Sequence, residues 1–99
     1  MATDRGYRLS PAAYRDLAGI WRYSARQWSV VQADAYQDDL AAAFEGLASG
    51  RKVGRPVEVG RGGYLKYAAG AHMIYFREAE AEIIIIRILH AMQDPQRHL

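Results

Sequence analysis

Apolar residues recur along the first half of the chain at intervals of three and four. After Ser10 and Pro11 they fall at Tyr14, Leu17, Ile20, Trp21 and, beyond Ser24, Trp28. That spacing lays a wide aromatic stripe along one face of a helix. Ser10 is of the type that caps a helix N-terminus, and Pro11 suits the first helical position, where no N–H is required. A helix over about residues 11–27 is predicted, slightly weakened by Gly19, which can also allow close packing. The pattern restarts with Ala33, Tyr36, Leu40, Ala43, Phe44 and Leu47. Ser29 and Gln32 form a capping-box pair at its start, and Gly50 is placed to end it in a left-handed conformation. A second helix over about 30–49 follows, and two helices with almost no linker fold back as a hairpin.

Near Gly50 the period changes. Residues 51–63 contain Gly54, Pro56, Gly60, Gly62 and Gly63 and read as a loop. "YLKYA" and "HMIYF" are short β-type runs separated by "AGA", and "REAEAE" is a polar connection to "IIIIRILH". Together they predict an antiparallel meander. "YRL" near the start reads as one further strand. The isoleucine run does not alternate, which predicts an interior strand, Ile83–Ile88, with both faces covered. β-branched residues fit a pleated strand and lose side-chain freedom in a helix. The order is β-α-α-β-β-β: an α+β fold in one domain, residues 1–99, with a helical hairpin packed on an antiparallel sheet.

The net charge of +2 is mild, but it is unevenly distributed. Arg51, Lys52, Arg55, Arg61 and Lys66 face only Glu58 in the intervening stretch. Such a surface attracts an anionic partner, although a solvated loop has the same composition. There is no cysteine, which excludes disulfides and thiolate metal sites. No apolar run approaches the roughly 18–20 residues that span a bilayer, and "MATDRGYRLS" lacks the apolar core of a signal peptide. The expected location is cytoplasmic, away from the membrane.

Most candidate chemistry dissolves on inspection. "GRGGYLKY" leads into a strand, whereas a phosphate-cradling loop leads into a helix. Asp38 and Asp39 are adjacent on a helix and diverge. His72, His90 and His98 lack metal-ligand spacing, so no metal and no cofactor is expected. The set Arg61, Lys66, Arg77, Arg87 and His90 is more serious. Guanidinium groups stabilise charge on a phosphate, and a histidine moves a proton near neutral pH. A metal-free ribonuclease could be built from such a set. Equally, Arg87 can snorkel out of a buried strand or pair with an acid, and His90 can bond a strand-end backbone group.

Nearly the whole chain resembles the toxins of the RelE/ParE superfamily, on the ParE branch. The resemblance runs through "YRLSPAAYRDLAGIWRYSARQW" and "YLKYAAGAHMIYF". It is most specific at "IIIIRILHAMQDPQRHL", where "RILH", a few residues and then Asp94 are typical. It implies the toxin half of a type II toxin–antitoxin module. The toxin would act on DNA gyrase by non-catalytic binding and would be neutralised, as a hetero-oligomer, by a ParD-type antitoxin. The RelE branch instead implies a ribosome-dependent endoribonuclease, the alternative reading. RelE-like nucleases use a tyrosine or histidine close to the C-terminus, but this chain has no tyrosine after Tyr75 and closes on His98-Leu99. On this reading the chain is not an enzyme. Tyr14, Trp21, Trp28, Arg55 and Arg61 are the expected antitoxin-binding residues. Arg87, His90, Asp94 and Arg97 are the candidate target-binding residues, with the tail mobile or pinned by a partner.

Overall fold

The computed structural model describes residues 5–60 and 62–99. The elements in chain order are β1 (Gly6–Leu9), α1 (Pro11–Gln27), α2 (Val30–Ser49), β2 (Arg55–Val57), β3 (Tyr64–Ala69), β4 (His72–Glu78) and β5 (Glu82–His90). A short 3-10 turn, Pro95–Arg97, follows. Both helices therefore end where the sequence places them. The Ser10 hydroxyl accepts from Ala13 N at 3.0 Å and donates to Ile86 O at 2.7 Å, so the cap of α1 is also pinned to β5. Ser29 caps α2 by accepting from Gln32 N at 3.0 Å. Gly50 closes α2 at φ 86°, a conformation that costs a residue with a Cβ.

Among the described residues five strands form one sheet in the order β1-β5-β4-β3-β2. β2 lies inside the segment read from sequence as a loop, pairing Arg55–Val57 antiparallel with Tyr64–Lys66. It is three residues long and contains Pro56, so it carries no alternation to detect. The meander β3-β4-β5 is antiparallel as expected, but β1 runs parallel to β5, from Gly6 beside Glu82 to Leu9 beside Ile85. The sheet is thus mixed and not purely antiparallel. The reason is that β1 joins from the far end of the chain through the helical hairpin, and only adjacent hairpin-linked strands must alternate direction.

The hairpin covers one face. Leu40, Ala43, Phe44, Leu47 and Ala48 of α2 and Ala13 of α1 pack with Ile74, Phe76, Ile83, Ile85 and Ile88 of the sheet. Each fully buried isoleucine contributes about 1.5–3 kcal/mol. The run does alternate in space: Ile83 and Ile85 are fully buried, while Ile84 and Ile86 are half-exposed on the opposite face. That face is nevertheless covered toward the end of the strand, as the unbroken run predicts, for Tyr75 and Leu89, outside the hairpin-side core, are 4% and 1% exposed. A bulge then shifts the register, for Tyr75 pairs with Arg87 but Phe76 pairs with Ile85. The extra residue reverses the phase, so Ile88 enters the core and Arg87 stays out of it.

The tail is held by the chain itself. Asp94 Oδ1 accepts from Gln96 N at 3.0 Å and starts the 3-10 turn, and Arg87 Nη1 donates to His98 O at 3.1 Å. Among the described residues no helix is long and apolar enough to cross a membrane.

Candidate partner-binding groove

β1 ends at Leu9, and beyond it the edge of β5 is covered by α1. Asp16 makes that seal. Its Oδ2 accepts from Arg87 Nε at 2.7 Å and from Ile88 N at 2.9 Å, and its Oδ1 accepts from Arg87 Nη2 at 2.9 Å. Fork-to-fork pairing of this kind is both strong and directional. The Asp16 hydrogen bonds, outweighing the effect of burial, hold the Arg87 guanidinium more firmly protonated than an ordinary arginine.

Beside this seal lies a groove of about 820 Å³ between the outer side of α1, the first half of α2 and the ends of β4 and β5. Toward the hairpin turn its walls include Ile20, Tyr23, Trp28 and Ala35; away from the turn they include Arg15, Asp39, His72 and His90. Tyr23 and Trp28 are 62% and 72% exposed, far from the burial that their size favours.

The polar end has a fixed hydrogen-bond pattern. The Tyr36 hydroxyl sits inside the β3–β4 turn, accepting from Ala71 N at 3.1 Å and lying 2.7 Å from His72 Nδ1 and 3.3 Å from Ala69 O. A phenol has one proton to give, and the shorter contact assigns it to His72, whose Nδ1 is then the acceptor. Gly70, at φ 58°, makes room: a Cβ there would lie 2.6 Å from the Tyr36 oxygen. Burial, and then the charge of His90, push the His72 pKa down, with Asp16 opposing weakly. Burial raises the Tyr36 pKa. His72 and His90 meet edge to face at 5.6 Å between centroids. His90 Nδ1 accepts from Met92 N at 3.2 Å, which puts the proton of the neutral ring on Nε2. Asp16 is thus committed to Arg87, and the His90 Nδ1 to the main chain. What remains is a set of oriented donors and acceptors above an aromatic wall, suited to recognition.

The residues expected to bind a partner are only partly gathered here. Trp28 lines the groove; Tyr14 and Trp21 do not. Tyr14 is 63% exposed on α1, and Trp21 Nε1 donates to Asp34 Oδ1 at 2.8 Å across the hairpin. The stripe read as one face is therefore divided: Leu17 and Ile20 pack on the core, while Tyr14 and Trp28 face outward. Arg55 lies on β2, at the far edge of the sheet, and Arg61 falls outside the described residues. Of the tail candidates, His90 lines the groove, Arg87 is bound to Asp16, Asp94 caps the last turn, and Arg97 is exposed. Arg77 is held at the other side of the sheet, stacked 4.3 Å from the Tyr64 ring and donating to Gly62 O at 3.3 Å. Asp16, Tyr36, His72 and Gln93 were not singled out from sequence as site residues. They come from α1, α2, β4 and the turn after β5, and only Tyr36 carried a signal, as an inward position of α2.

Comparison with known proteins places these features in a family. Residues 7–95 match the family described as the ParE toxin of the type II toxin–antitoxin system parDE. Toxin ParE1 of Caulobacter vibrioides is 40% identical over 93 residues, covering 94% of this chain and 96% of that protein. Toxin ParE1 of Mycobacterium tuberculosis is 37% identical over 94 residues, with the same coverage. Among solved structures, the chromosomal ParDE system from P. aeruginosa superposes with a TM-score of 0.75 at 22% identity, covering 88% of this chain and 96% of that one. The toxin–antitoxin complex RelBE2 from Mycobacterium tuberculosis gives a TM-score of 0.57 at 18% identity, covering 92% and 95%. These structural likenesses speak for the fold, and the identities over nearly the full length speak for descent. The chain belongs to the ParE toxins of type II toxin–antitoxin systems.

Proposed function

We propose that this chain is a non-catalytic toxin that binds DNA gyrase in the cytoplasm, and that a ParD-type antitoxin neutralises it by occupying the groove beside α1. The observation that carries the non-catalytic reading is the fate of Arg87. In a ribonuclease that arginine would face a phosphate. Here both edges of its guanidinium are already used, by Asp16 and by the carbonyl of His98. His90 is likewise engaged through Nδ1 with the main chain at Met92, and its partner ring, His72, is biased toward the neutral form. Neither is arranged as a charged acid beside a base. Gyrase as the target is what the resemblance to the ParE branch implies. The groove supports the antitoxin part: exposed aromatics, a fixed polar end and a concave shape are what an amphipathic segment requires.

Two assays test the reading together. Purified toxin added to gyrase should block supercoiling and accumulate cleaved DNA–enzyme complexes. Primer extension on messenger RNA from intoxicated cells should show no codon-phased cuts. His90→Ala should remain toxic, because an essential proton carrier would lose about 10²–10⁴-fold on removal and a recognition residue would not. Codon-phased cuts that disappear in His90→Ala, with gyrase unaffected, would replace this reading with the ribonuclease.

A further inference from the structure

Glycine in a helix interior weakens the helix relative to alanine, so each such glycine calls for a reason. Gly46 of α2 has one: a Cβ there would lie 2.6 Å from Lys52 Cδ. Gly19 has none among the described residues. It is in the middle of α1, and a Cβ built on it meets nothing within 4 Å. Its open side is the groove. Arg15 and Tyr23, one turn away on either side, also line the groove, so the missing side chain leaves a hole in the wall of α1 between them.

We infer that Gly19 is the point at which a helix of the antitoxin crosses α1, seating one large apolar side chain in that hole. The inference rests on the groove being the antitoxin site. A side chain of one helix entering a gap in the row of residues spaced four apart on another is the ordinary geometry of helix packing. The walls define the rest of the partner. Ile20, Tyr23, Trp28 and Ala35 take apolar residues toward the hairpin turn, while Arg15 and Asp39 match an acid and a base at the other end. The occupant is therefore an amphipathic helix whose polar positions carry both signs. Gly19 sets how closely it approaches and so which partners fit.

The test uses the full chain and, as probe, the purified product of the reading frame adjacent to its own, with affinity measured by calorimetry. Gly19→Leu should fold and melt higher than the native chain, since leucine is the better helix former and its Cβ meets nothing within 4 Å. Its affinity should fall by about 30-fold or more, the consequence of forcing a side chain into a packed contact. Gly19→Ala should melt about 4–8 °C higher and lose less affinity. Ala18→Leu, on the exposed side of the same turn and away from the groove, should bind as the native chain does. If the native chain binds the probe and Gly19→Leu binds equally well, the crossing point is overturned while the antitoxin reading stands. If the native chain does not bind the probe, both fall. If Gly19→Leu instead dissociates a dimer of this chain in sedimentation, the hole serves a second copy and the inference is rejected.

Discussion

Asp16→Ala removes the group on which the exposed end of β5 depends. The carboxylate receives two guanidinium N–H groups and the Ile88 N–H, all at 2.7–2.9 Å. The side chains of Arg87 and Asp16 are 22% and 15% exposed, so the pair is largely shielded from water. Breaking a buried pair by removing one member costs about 3–5 kcal/mol, because the other charge is left without a partner. Residual exposure of Arg87, and its remaining bond to the His98 carbonyl, favour the lower end, about 3 kcal/mol. A second route gives a compatible figure. Each charge-assisted bond contributes about 1.5–3 kcal/mol and the orphaned Ile88 N–H costs about 1–3, with overlap between these terms. For a chain of this size a 3 kcal/mol loss lowers the melting temperature by about 12–24 °C. Urea unfolding followed by tryptophan fluorescence is the assay, with the midpoint moving and the slope unchanged. Arg87→Met completes a double-mutant cycle. The coupling should be about 2 kcal/mol, and the double variant should be less destabilised than the sum of the two single variants. A loss below about 1 kcal/mol for Asp16→Ala, or additivity in the cycle, would refute the seal as the device that holds this strand end.

Three further outcomes are expected. Ser10→Ala removes both the cap of α1 and the bond to Ile86 O, and should cost about 2 kcal/mol in the same unfolding assay. Gly70→Ala imposes a Cβ at φ 58° and displaces the Tyr36 hydroxyl; a loss of about 2 kcal/mol or more is expected, visible also as loss of hydrogen-exchange protection at Ala71 N. His72 gives a pH dependence of defined sign. Its folded pKa lies below the ordinary value of 6.5, so the unfolded chain takes up the proton first. The contribution of His72 to stability is present above pH 6.5, declines as the pH falls through the folded pKa, and levels off below it; His72→Gln should remove that part of the slope in unfolding titrations between pH 7 and 5.

Local chemistry in the sequence determined the helices. Ser10, Pro11, Ser29 and Gly50 mark their ends, and the spacing through Leu40, Phe44 and Leu47 marks the buried face, because caps and helical period depend on residues within a turn or two of each other. The meander was legible for the same reason: β-branched and aromatic runs separated by short polar turns pair with their neighbours. Other features were decided by contacts between segments far apart in the chain. The parallel pairing of β1 with β5 joins Gly6 to Glu82, and no local pattern encodes its direction. Trp28 is of a type that favours the core, yet as the C-cap residue of α1 it stands largely exposed on the wall of the groove. The bulge beside Tyr75 and Phe76 decided that Ile88 would be core and Arg87 would not, and Asp16, seventy-one residues away, decided what Arg87 would do instead. The groove belongs wholly to this second class. Its polar end brings together Arg15, Asp39, His72 and His90 from two helices and two strands, and a shape made of four elements exists only once they are packed.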